Sequence, residues 1–290
     1  MPLCACIWIS GTTKEGKRIS VGGRSPAWRL RHSLEVDLPV RGEKMEQKLR
    51  GATSLAGRND LAVALIFKGE YVEAIELLEQ LESEHPGDYY TAANLGTALE
   101  LSGRNREALS WIEEGIRRNS DSHEGTEWLH VKILEAKIQG AANSGYFRNH
   151  SVLDLDYSQI DRDAVNLVIG DQEYSIPRVK RALGYQLEER LQFVKNEDIV
   201  VASLLLDYAA VTAATHSLES ANELLAMAVD FGASEERVQP LIIDYERLIR
   251  LALVRQWLKY ACIALVLIGL IRYSGKRRWI VLSRSSLRRT

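Results

Sequence analysis

Two stretches of the chain keep step at a distance of 34 residues. Leu61–Leu78 reads LAVALIFKGEYVEAIELL, and Leu95–Ile112 reads LGTALELSGRNREALSWI. Leu61 aligns with Leu95, Ala62 with Gly96, Leu65 with Leu99, Gly69 with Gly103, Ala74 with Ala108 and Leu78 with Ile112. Large apolar, small and turn residues therefore recur together, which restricts the fold more than any composition figure does. Two antiparallel helices approach closely only where a small residue on each faces the other, here Ala62 with Ala74 and Gly96 with Ala108. Gly69 and Gly103 permit the left-handed backbone that ends one helix and starts the next.

A 34-residue period with this alternation resembles the tetratricopeptide repeat. Pro86 stands where that family places proline after the second helix, and Ser120 replaces it in the next unit. The resemblance implies an all-α chain of antiparallel helix-hairpin repeats, an α-solenoid. Each hairpin leaves an apolar face for its neighbour, so about three stacked units or a cap are needed. A third first-helix is expected over His123–Lys137, with Leu129 and Ile133 in the apolar places; its second helix is not legible in the Gly- and Asn-rich segment that follows. A degenerate unit is expected over Leu204–Ala233, where Ala209 and Ala221 keep the small-residue separation and His216 replaces the turn glycine.

The chain divides accordingly. Residues 1–50 form an N-terminal segment, read as the remnant of a signal peptide plus an extended region, and 51–139 carry the repeats. Residues 140–180 form an insert, mostly loop. Within it, alternation across Val165–Ile176 around Gly170-Asp171 predicts a short hairpin. Helical periodicity resumes at Gly184–Val194, and 181–250 form a second helical region. A transmembrane helix is expected at 251–273, followed by a basic tail, 274–290.

The C-terminal assignment rests on an uncharged run, Tyr260–Ile271, which is too short alone to cross a bilayer. Extension back to Leu251 gives sufficient length and admits Arg255 and Lys259, whose long side chains can snorkel to headgroups. Trp257, Tyr260 and Tyr273 lie near the ends, as interfacial aromatics do. A buried capping helix is the alternative, but Ala261–Ile271 offers no polar outer face.

Charge is unevenly spread. The chain of 290 residues has a net charge of −2, yet the seven Lys/Arg after Ile271 meet no acid. An acidic body excludes nucleic acid as its partner. The basic tail places itself on the cytoplasmic side, facing anionic lipid, with the repeats periplasmic. The opening MPLCACIWIS lacks a positive n-region, while Cys6-Ile7-Trp8 resembles a segment of membrane-anchored bacterial repeat proteins whose signal peptide precedes it. A tail-anchored protein with cytoplasmic repeats remains the rival topology. Cys4, Cys6 and Cys262 give neither a disulfide framework nor a zinc spacing.

No constellation implies catalysis or a cofactor. His123, Glu127 and His130 would share a helix face at i, i+4 and i+7, a weak candidate metal site without a visible second shell. Val21–Pro26 lacks the ending of a phosphate-binding loop, and no nucleophile-elbow pattern occurs. Binding is the remaining class. The resemblance implies a concave groove lined by first helices, to which Asn59, Val63, Phe67, Tyr90, Asn94, Thr97, Glu124 and Glu127 would project. Asn59 and Glu124 stand where carboxylate-clamping relatives carry lysine, so polar, aromatic or basic segments are the expected ligands. The sequence thus points to a membrane-anchored scaffold that recruits a protein or peptide partner. A subunit packed permanently in a membrane assembly is the alternative, and a metal-dependent enzyme a minor one.

Overall fold

A computed structural model describes residues 9–160 and 165–286. The N-terminal Cys4, Cys6 and Trp8 lie outside the described residues. Helices dominate: α1 (Pro26–Leu34), α2 (Leu38–Leu49), α3 (Leu55–Lys68), α4 (Tyr71–Glu84), α5 (Tyr89–Leu101), α6 (Asn105–Arg118), the single turn α7 (Ser122–Gly125) and α8 (Glu127–Ala142). They are followed by α9 (Tyr146–Asn149), α10 (Ile176–Phe193), α11 (Ile199–Thr215), α12 (Leu218–Asp230) and α13 (Glu235–Ser286). Two antiparallel strand pairs complete the set: β1 (Ile9–Thr12) with β2 (Arg18–Val21), and β3 (Asn166–Ile169) with β4 (Gln172–Ser175).

The architecture is a succession of adjacent helix pairs, α3 with α4, α5 with α6 and α11 with α12, in which each helix also packs on the next in line. Gly69 and Gly103 close the first two hairpins in the left-handed conformation, with φ of 82° and 85°. Ala62, Ala74, Leu95 and Ala108 are buried without residual exposure, while Leu61 is half-buried. Gly96 shows why the period needs small residues. A Cβ added there would stand 2.6 Å from Ile112 Cδ1 and 3.2 Å from the Ile112 backbone nitrogen. N-caps set the helix starts: Ser54 accepts from Gly57 N, Asp88 from Thr91 N and Ser217 from Ser220 N.

Four expectations need correction. Residues 26–49 are helical rather than extended: α2 packs on α3 and α1 on α10 and α12, so the N-terminal segment is bound to both halves of the stack. The third first-helix does not begin at His123. His123 and Glu124 have positive φ of 46° and 57°, Gly125 follows at 70°, and the regular helix starts at Glu127. The insert is shorter than 140–180, because α8 runs to Ala142 and α10 starts at Ile176. The transmembrane helix expected from 251 is no separate element either, since α13 passes through that position unbroken.

The insert is fastened to the second half of the stack by one buried carboxylate. Asp207 on α11 accepts from Ser151 Oγ at 2.8 Å, Leu153 N at 3.1 Å and Tyr157 Oη at 2.9 Å. Ser203 Oγ, one turn away, accepts from Val152 N. Burial pushes Asp207 up to about 6, with the three hydrogen bonds opposing that rise.

The last helix has two parts. Val238, Tyr245 and Ala252 are buried against the body. From Leu253 through Tyr273 the apolar side chains are exposed, including Trp257, Leu265 and Ile271. Glu235–Tyr273 contains a window of mean hydropathy 1.7, long and apolar enough to cross a membrane.

Candidate functional site at the inner face of the repeats

Helix α5 carries an acid, Glu100, four residues after the small Gly96 and on the same face. It is buried, which an isolated carboxylate could not tolerate. Three cations meet it. Arg190 on α10 donates Nη1 to Oε1 at 2.6 Å, Lys137 on α8 donates Nζ to Oε1 at 2.9 Å, and His130 on α8 meets Oε2 through Nε2 at 2.6 Å. The other ring nitrogen of His130 lies 3.2 Å from Glu127 Oε2, and Glu127 Oε1 meets His123 Nδ1.

The charge states follow from this geometry. A histidine between two carboxylates, one at each nitrogen, must carry both protons to donate to both. Burial lowers the affinity of His130 for its proton, but Glu100 and Glu127 outweigh that and raise it to about 9. Burial likewise pushes Glu127 up, and its bonds to His123 and His130 bring it down to about 2. Burial opposes ionisation of Glu100 too, yet Arg190, His130 and Lys137 hold it well below the usual carboxylate range. The cluster is a closed ionic network that joins α5, α8 and α10.

Helix α10 thereby crosses the inner side of the first helices. Phe193 near its end meets Phe67 of α3, ring centroids 6.0 Å apart, and the Arg41 guanidinium covers Phe67 at 5.1 Å. Between α10 and the inner helices lies a cavity of about 60 Å³, lined by Thr97, Glu100, Leu101, His130, Gln186 and Phe193 among others. That is well below the roughly 300 Å³ at which small-molecule sites begin. Aromatic rings gather around His123, one of its lining residues: His123 lies between Tyr89 at 6.5 Å and Tyr185 at 5.9 Å, and Tyr89 stands against Tyr90 at 5.1 Å.

Paired helices with small residues at the crossings, left-handed glycines at the turns and a common inner face are thus established. The tetratricopeptide repeat family model matches residues 58–125. This segment belongs to that family. Comparison with curated proteins gives no match.

The groove candidates separate into two sets. Val63, Asn94 and Thr97 are half-buried on the inner helices, and Tyr90 and Glu124 are exposed at the rim. The others are engaged in the fold. Asn59 is buried and donates Nδ2 to Thr91 Oγ1 at 3.0 Å, tying α3 to α5. Phe67 is covered by Phe193, and Glu127 has both oxygens committed to histidines. These three are corrected from groove residues to packing residues.

The histidine pair is corrected as well. His123 reaches Glu127 from a left-handed turn and not from a shared helix face, because its backbone leaves the helical region. With His130 doubly protonated and each Glu127 oxygen bound to an imidazole, the three side chains form an ion pair cluster, not a set of free ligands. Among the described residues no group of three or more His, Cys, Asp or Glu is disposed to hold a metal ion.

The sequence offered no motif for Glu100, Lys137, Arg190 or Phe193. Arg190 lies 90 positions from Glu100, so no local spacing connects them. The one signal available was Glu100 itself, an acid at the spacing of the buried face.

Proposed function

We propose that the protein is a membrane-attached scaffold whose repeats recruit a protein partner along the open part of the inner face. Tetratricopeptide repeats are protein-interaction modules, and the match over 58–125 carries this reading. Val63, Asn94 and Thr97 supply polar and small contacts on the inner helices, while Tyr90 and Glu124 supply an aromatic and an acid at the rim. A preformed, rigid surface of this kind binds without much ordering cost. Polar, aromatic or basic segments suit it, since Glu124 would repel an acidic one.

Attachment is through α13. Burial stops after Ala252, and from Leu253 to Tyr273 the helix rises roughly 30 Å at ~1.5 Å per residue, which matches a hydrocarbon core of about 30 Å. The excess of cations after this stretch favours a cytoplasmic tail and a periplasmic body.

Photocrosslinking in the native membrane tests the binding reading. A photoreactive residue at Asn94 should give a discrete adduct that is lost in Tyr90→Ala, whereas one at exposed Glu76 on α4 should not. Equal labelling from both positions, insensitive to Tyr90, would reject the inner face as the binding surface.

A further inference from the structure

The β1–β2 hairpin has no role in the repeats. Its strands lie against α12 and α13. Thr12 is fixed by Glu219 of α12, which accepts from Thr12 N at 2.7 Å and from Thr12 Oγ1 at 2.8 Å. Arg18 on the second strand pairs with the same carboxylate at 2.7 Å. The tip turns at Gly16, with φ of 72°, and a Cβ placed there would stand 3.4 Å from Nη1 of Arg255. The hairpin is therefore held rigidly, with its tip level with Arg255 on α13.

That level has a definite meaning if α13 spans a bilayer. The uncharged run begins only at Tyr260, and Arg272 ends it. From Arg255 to Arg272 the helix rises roughly 26 Å at ~1.5 Å per residue, so both cations must lie at or near the two headgroup layers. Trp257 and Tyr260 are exposed beside Arg255, where interfacial aromatics belong. A hairpin tip at the height of Arg255 is then at the height of the lipid phosphates.

We propose that the tip of the β1–β2 hairpin, together with Arg255 and Lys259, is a lipid-headgroup contact that seats the body directly on the bilayer surface. This rests on the membrane reading of α13. The charges fit: Lys17, Arg255 and Lys259 are exposed and form no ion pair among the described residues. Lys14 is turned inward, donating to the carbonyl of Ile160 at 2.6 Å, and Arg18 is spent on Glu219, so Glu15 is the one acid among the tip residues Thr13–Lys17. Phosphodiesters would meet three cations and one carboxylate. Anionic lipid should strengthen the contact, and added salt should weaken it.

Depth-dependent quenching tests the contact with the full chain in nanodiscs of phosphatidylcholine and phosphatidylglycerol. The three cysteines are replaced by serine, and a bimane label is placed at Glu15→Cys on the tip, Val266→Cys in the span, or Glu79→Cys on α4 at the other end of the stack. A nitroxide on the lipid headgroup should remove most emission from position 15 and little from 79. A nitroxide at mid-chain should remove that from 266. Quenching at 266 with position 15 as bright as 79 would overturn the seating and leave the span intact. No mid-chain quenching at 266 would overturn the span, and the seating with it.

Discussion

Single side chains decide whether the repeats close. Gly96 faces Ile112 with no room for a methyl group, so Gly96→Ala should overpack the second hairpin and cost about 1–3 kcal/mol, read as a lower denaturant midpoint. Glu100 is the shared anion of three cations. Glu100→Leu strands half-buried Arg190 and buried His130 and should destabilise by about 3–5 kcal/mol, whereas exposed Glu76→Leu should stay within about 0.5 kcal/mol. The hairpin residues Ala62, Gly69, Gly96 and Gly103 are legible in the sequence because their constraint is local: each acts on a residue within about one helical hairpin. The network around Glu100 is not, because its partners lie 30, 37 and 90 positions away and charged residues at such distances leave no period. His123 misled for a related reason, since nothing in its neighbours announces three successive left-handed residues.

Between elements, charge makes the joints, and joints of this kind depend on pH. His130 has its affinity raised from 6.5 to about 9, so its contribution is complete below pH 6.5 and is lost as pH climbs through 9. Glu127 is lowered from 4.5 to about 2, so its share is complete above pH 4.5 and is lost as pH falls through 2. The junction of α5, α8 and α10 is therefore strongest between about pH 4.5 and 6.5. Thermal melts should show the body losing stability from pH 6.5 to 9, and His130→Phe should flatten that decline. Asp207 behaves in the opposite sense to Glu127. Raised from 3.8 to about 6, it favours the fold while protonated and withdraws that support as pH rises through 6. Asp207→Asn turns an amide donor toward groups that already donate, Ser151, Leu153 and Tyr157. Amide exchange at Val152 and Leu153 should accelerate in that variant while exchange in α5 is unchanged. The all-α hairpin architecture followed from the period, but the crossing of α10 over the inner helices did not: its helix was visible, and its place was fixed by Phe193 and Arg190 finding Phe67 and Glu100 in space.

For the molecule as a whole, the main division lies along α13 after Ala252, where burial ends and exposed apolar surface begins. A charge in the middle of that surface tests what it faces. Leu265→Lys adds a cost of about 2.5–3.5 kcal/mol to a span, and should shift the protein from the membrane to the soluble fraction on alkaline extraction. Unchanged fractionation would remove the span. The passage from body to apolar run, Ile249–Lys259, contains neither glycine nor proline, and Pro240 lies earlier, where the helix is still held by the body. No swivel is built into this joint. If α13 spans the bilayer as proposed, the helix works as an axle pressed into a housing: when the bilayer leans, the groove leans by the same angle. A captured partner would be presented at one height and one bearing, able to diffuse in the plane of the membrane but not to turn away from it.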